Sequence, residues 1–344
     1  MATEKASKPM GRAGRAKWIV VGVVTLALFV AIELGYVGFG WAQLMARVFP
    51  KDQSLLEYIP GETTSLLVVD PHLLDPKALG QDGSAPRAYL ARAREDVKKA
   101  TGIDLLFDVD KIALSTVIAV AHGRFDGKAL SDKLMQSRYA AVEHKGHTYL
   151  VRAGEDAIAV VGDAFVLYGD EAGVKAAFDA HDGGSSVAKD EAVMGRLERA
   201  GWAHPVLATA RFSSERPSIR DVLTGSTGPR SATLAVATPK GGGLEVTVTV
   251  EAASPAAAEE MQRLIEDKRK AEGAVASMLK QGPTLDALAA VVKSATVSAD
   301  PPQSSVIVRA RATAEQLDAI TKVASSPEAM ELYKTLRLYQ LIAP

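Results

Sequence analysis

Hydrophobic positions fall first into one long unbroken run and then into short periodic segments. WIVVGVVTLALFVAIELGYVGFGW, Trp18 to Trp41, is apolar throughout except for Glu33. After Pro50 the pattern changes. KDQSLLEYIPGE reads as a short polar connection, and TTSLLVVD (63–70) as a buried strand closed by Pro71. Residues 85–100 place Tyr89, Leu90, Ala93 and Val97 at helical spacing, and Thr101-Gly102 ends that helix. KIALSTVIAVAHGRF (111–125) predicts one strand, and DGKALSDKLMQS (126–137) a helix with Asp126 as N-cap. Four short strands follow in RYAAVEHKG, HTYLVRA, DAIAVVG and DAFVLYGD, and then the helix DEAGVKAAFDAH (170–181).

The second half repeats this order. HPVLATARF (204–212) is a strand, 231–252 a long hairpin, and 254–280 a helix with Ser254 as N-cap and Pro255 in its first turn. Helix 284–293, strands ATVSAD and SSVIVRARA and helix 313–324 complete it. SPEAMELYKTLRLYQLIAP at the end is an amphipathic helix expected to dock on the second sheet, with a partner-binding or membrane-surface role as the alternative. The expected fold class is α+β: one N-terminal transmembrane helix, then two related units of antiparallel sheet with helices packed on one face. The expected boundaries are a basic cytoplasmic tail (1–17), a signal anchor (18–41), a linker (42–58), a first unit (59–200) and a second unit with the C-terminal helix (201–344).

The 24 residues of the apolar run span about 36 Å as a helix, against roughly 30 Å of bilayer hydrocarbon. Trp18 and Trp41 suit the two water–lipid interfaces. Five basic residues precede the run and one, Arg47, follows, which puts the N-terminus in the cytoplasm and the rest across the inner membrane, in the periplasm. A signal peptide cut after Gly40-Trp41-Ala42 is the competing reading. Glu33 lies in the outer third of such a helix. There it snorkels to headgroup water or pairs with a polar residue on another membrane helix.

Composition is that of a globular chain, with 47% hydrophobic and 24% charged residues and a net charge of −1. That balance gives no whole-molecule attraction to nucleic acid. Residues 1–49 hold six Lys/Arg against two acids, leaving 34 basic and 39 acidic residues in the remainder. No cysteine is present, which removes disulfides, thiolate catalysis and Cys-ligated metals. Asn is absent beside abundant Ala and Arg, a bias that fits GC-rich bacterial coding.

Candidate chemistry is sparse. In AAVEHKGHTY a Lys145-Gly146 turn sets His144 and His147 opposite each other, which reads as a solvated hairpin tip, with a two-imidazole metal site as the alternative. Glu143 points to the other strand face and does not complete it. Asp104, Asp108 and Asp110 read as turn and helix caps rather than a calcium loop. G-x-S-x-G, H-E-x-x-H and the phosphate-binding glycine motifs do not occur, so no catalytic residue and no cofactor is assigned.

IPGETTSLLVVD, TGIDLLFDVDKIAL and YGDEAGVKAAFDA together resemble a group of bacterial proteins with one N-terminal anchor, a two-part extracytoplasmic α+β region and no established activity. The resemblance implies a place and a fold, and no site residues. The expected function is that of a membrane-anchored periplasmic binding protein, non-catalytic, whose partners are the bilayer and a protein or envelope polymer. The alternatives are a periplasmic enzyme or ligand sensor with its site between the two units, and an accessory subunit of an envelope complex acting through Glu33.

Overall fold

A computed structural model describes residues 53–73, 76–105, 107–152, 156–212, 229–239, 242–278 and 283–324. The apolar run with Trp18, Glu33 and Trp41, and the C-terminal segment from residue 325, lie outside the described residues. Among the described residues no helix is long and apolar enough to cross a membrane.

The chain is a mixed α/β protein built on one large antiparallel sheet. Its strands are β1 (Ser65–Val69), β2 (Val109–Ser115), β3 (Ile118–Gly123), β4 (Ala140–His144), β5 (His147–Arg152), β6 (Asp156–Val161), β7 (Phe165–Gly169), β8 (Val206–Arg211), β9 (Ser231–Ala237), β10 (Leu244–Glu251), β11 (Thr296–Asp300) and β12 (Ser305–Ala312). They lie in the order β11-β12-β10-β9-β8-β1-β2-β3-β7-β6-β5-β4. β1 and β8 pair at the middle, Leu66 opposite Thr209 and Val68 opposite Leu207. Reading outward from that seam, one side runs β1, β2, β3, β7, β6 and the other β8, β9, β10, β12, β11. The β4–β5 hairpin extends the first side alone.

The helices are α1 (Ala85–Thr101), α2 (Gly127–Gln136), α3 (Glu171–His181), α4 (Glu191–Ala200), α5 (Pro255–Met278), α6 (Pro283–Ser294) and α7 (Ala314–Ala324). α1 ends on Gly102, whose φ of 88° places it in the left-handed region that a side chain would disfavour. Asp126, Asp170 and Asp190 cap α2, α3 and α4 by accepting backbone N–H groups of their first turns.

Helices were expected on one face of the sheet. In the first half they cover both. The front face buries Leu66, Val68, Ala113, Val120 and Leu167 under α3, α4 and the 3-10 turn Ser54–Tyr58. The back face buries Leu67, Val69 and Val236 under Leu79, Leu90 and Leu317, and Leu150 and Ile158 under Leu130 and Leu134 of α2. In the second half α5 covers the back, with Met261 and Ala258 on Val250 and Val306. No described element covers the front of β10, β11 and β12.

Two local readings change. The polar connection 51–62 contains one of the most deeply buried segments: Leu55, Leu56, Tyr58 and Ile59 plug the front core. The expected single strand 111–125 is a hairpin. Ser115 Oγ accepts hydrogen bonds from Val117 and Ile118 N–H and turns the chain without glycine or proline.

Candidate functional site at the seam

Where β1 and β8 meet, the front face carries a polar cluster at the edge of the apolar core. Its scaffold starts with the loop after Ile59. Pro60 bridges to Ser186, Gly61 N–H donates to the Ser185 carbonyl, and Arg211 N–H donates to the Thr64 carbonyl. The Arg211 side chain donates to the carbonyls of Gly61 and Thr63, and its guanidinium lies 3.0 Å from Asp190. One arginine thus ties the entry loop of the first half to β8 and to the cap of α4.

α4 turns Val193, Arg196 and Leu197 inward. These positions form one helical stripe, so Arg196 occupies a place that its spacing reserves for an apolar residue. It is 6% exposed. Its Nε donates to Thr209 Oγ1 at 2.9 Å, and its Nη1 stands 3.9 Å from Glu251. Its Nη2 has no partner. Glu251 also meets Arg199 and the Ser231 hydroxyl. Burial pushes the Arg196 pKa below the usual guanidinium value, opposed by Glu251. An arginine nevertheless keeps its proton, so the cost falls on the fold.

Five buried side-chain polar atoms among the described residues lack a hydrogen-bond partner: Thr63 Oγ1, Ser186 Oγ, Arg196 Nη2, Trp202 Nε1 and Arg269 Nε. Thr63 and Arg196 belong to the same cleft, lined also by Thr64, Ser65, Val193, Thr209 and Arg211. It encloses about 170 Å3, counting space open to solvent, and the side chains as they stand leave no room for a water molecule. Each buried unsatisfied group costs about 1–3 kcal/mol.

His144 and His147 do sit opposite each other across the Lys145-Gly146 turn. Both reach α3 rather than a shared ion. His144 Nε2 is 2.9 Å from Asp179 Oδ1, which also accepts from Lys145, and His147 Nε2 is 2.7 Å from Asp182 Oδ2. His181 takes the other Asp182 oxygen at 3.1 Å. His147 stacks on Phe178 and His181 on Tyr58. The hairpin is therefore latched to the helix. Among the described residues no group of three or more His, Asp or Glu converges as a metal site.

Asp104 is buried and receives Arg94 through two 2.8 Å bonds and Lys98 through one of 2.9 Å, while Asp108 accepts the Asp104 N–H. Asp110 instead faces His72 at 3.4 Å and His122 at 3.9 Å, and the His72 contact holds its carboxyl below the usual range.

Arg196 escaped sequence reading because residues 187–200 showed no assigned element, while Thr63, Thr209 and Arg211 lay in segments read as strands with nothing local to mark them as a cluster. The available signal was an arginine at i+3 from Val193 and i−1 from Leu197, inside an amphipathic stripe.

No protein-family model and no curated protein matches this chain. A solved structure described as "Structure of crystal form I of TP0453" aligns at 10% identity and a TM-score of 0.43, covering 78% of this chain and 96% of that one. The likeness is too loose to carry an argument.

Proposed function

We propose that this chain is a bacterial inner-membrane protein with a cytoplasmic basic tail, a single membrane helix over 18–41 and a periplasmic body that acts by binding a protein or envelope polymer. The apolar run between Trp18 and Trp41, with five basic residues before it, supports the placement. The body consists of two related units, a reading supported by the matching strand order on either side of the β1–β8 seam. Binding is its task because a fold keeps a buried guanidinium nitrogen and a buried hydroxyl without partners at that seam, and this observation carries the proposal. Glu33 anchors the helix at its outer end or pairs there with a membrane partner.

A periplasmic reporter fused after residue 344 is expected to be active and a cytoplasmic one inactive; the reverse result would remove the placement. A photo-crosslinker at Arg199 is expected to capture a partner in intact membranes that the same group at Gln136 on α2 does not. Equal capture at both positions would remove the seam as the contact.

A further inference from the structure

We infer that the β4–β5 hairpin is a strap fastened to α3 by protonated imidazoles, so that it tightens as pH falls through the histidine range. The inference concerns the first half alone and stands apart from the reading of the seam.

The hairpin forms one outer edge of the sheet, and every position of β4 before His144 is exposed. Its turn end, by contrast, is tied to α3 through two imidazoles. His144 Nε2 lies 2.9 Å from Asp179 and His147 Nε2 lies 2.7 Å from Asp182. The His147 ring also lies flat on Phe178, with centroids 4.3 Å apart and planes 7° from parallel, and so covers a side chain that is fully buried.

Each contact is stronger with the imidazole charged. A proton adds Coulomb attraction to a hydrogen bond whose acceptor is already ionised. A cation over the face of Phe178 gains an attraction that a neutral ring lacks. The surrounding charges agree. Asp179 and Asp182 come from α3, and Glu57 stands beside Tyr58 in the turn Ser54–Tyr58, on which His181 stacks while it shares Asp182. Against these carboxylates the turn brings one lysine, Lys145. With neutral imidazoles the acids outnumber the cations, and protonation supplies the difference. Lys145 shares the Asp179 oxygen with His144 and opposes its charging, so His147 carries the larger part.

The sign follows. Stability from these contacts is present on the acid side of histidine's ordinary range near pH 6.5 and is lost as pH rises through it. A loosened strap uncovers Phe178.

The test uses the full-length chain in detergent, with amide exchange measured at pH 5.5 and 7.5 and converted to protection factors, which removes the intrinsic pH dependence of exchange. Protection in the β4–β5 and β5–β6 ladders is expected to be about tenfold lower at pH 7.5, as two partly exposed ion pairs and one ring contact allow, with the β11–β12 ladder unchanged. The double variant His144→Gln, His147→Gln keeps an uncharged donor at both sites. It is expected to show the lower protection at both pH values. If it does not fold, His147→Gln alone is expected to remove more than half of the pH response. Protection that is equal at the two pH values, or higher at pH 7.5, would overturn the inference. A parallel fall in β11–β12 would overturn it too, by assigning the response to the whole fold. A full response retained in the histidine variants would place the titrating group elsewhere and overturn it as well.

Discussion

The two sides of the sheet share a strand order and differ in how they are covered. Among the described residues, helices cover both faces of the first half and of β8 and β9, whose Leu207 and Ala235 join the front core beside α4, but only the back of β10, β12 and β11. The difference is written in the strands. β1 reads SLLVV and is buried at four consecutive positions, as a strand with two covered faces must be. β10 reads LEVTVTVE, with Val248 and Val250 under α5 and Glu245, Thr247, Thr249 and Glu251 on the other face. β12 and β11 continue that face with Arg309 opposite Thr247 and Thr296, Arg311 opposite Glu245, and Ser298 opposite Ile307, the one apolar residue in this set of pairs. Alternation therefore specifies how many layers a strand will carry, and the count changes between β9 and β10. α4 is the last helix on the front, and its Arg196 and Arg199 reach across to Glu251 where the apolar cover ends.

The contrast can be broken most forcefully in the first half. Phe178 is fully buried between the front of the sheet and the Ser54–Tyr58 turn. Phe178→Ala is expected to cost about 3–5 kcal/mol, read from denaturant midpoints at unchanged m-value. A loss below about 1 kcal/mol would mean that the front layer is not a packed core.

A smaller loss is expected from Asp104→Ala at the exit of α1. It strips Arg94 and Lys98 of their shared acceptor and is expected to cost about 1–3 kcal/mol, while Asp104→Asn retains part of that stability. Equal losses in the two variants would show that the charge, not the cap geometry, holds the helix exit.

Acid distinguishes the halves through the hairpin that only one of them has. Lys145 and His144 hold the Asp179 carboxyl below its usual value, and His181 and His147 do the same for Asp182. Both carboxyls thus have a lower pKa folded than unfolded. They contribute stability above the unfolded value of about 3.9, and that stability is lost as pH falls through the folded values. Amide exchange in β4 and β5 is expected to accelerate below about pH 4, ahead of β11 and β12. Asp179→Asn with Asp182→Asn is expected to flatten that dependence. Simultaneous loosening of both sheet edges would assign the acid sensitivity to the whole fold.

The smallest effect belongs to the open face. Thr247→Val and Arg309→Ala, made singly, are expected to change stability by less than about 0.5 kcal/mol. A loss above about 1 kcal/mol in either would reveal a packed layer on that front.

Most elements were legible because each has a strong local cause. Ser254-Pro255, Asp126 and Gly102 mark helix ends by capping, and Lys145-Gly146 turns the β4–β5 hairpin with both residues at positive φ. The misreadings have a common cause as well. SLLEYI is too short and too mixed to show a period, and only the space between α3 and the sheet makes Leu55, Leu56 and Ile59 core. The facing of His144 and His147 followed from the turn, but their partners Asp179 and Asp182 come from a helix some 35 residues away in sequence. Thr63 and Arg196 are further still from being neighbours along the chain, so the cleft they share had no linear signature.

By itself the sequence determined the α+β class, most of the strand and helix segments and the Lys145-Gly146 hairpin turn, because period, capping and turn chemistry act over a few residues. Tertiary structure alone decided that β1 meets β8, that the chain before β1 plugs a core, and that two unpartnered donors share one cleft. Those outcomes depend on which distant surfaces bury each other, and nothing within a short window of residues encodes them.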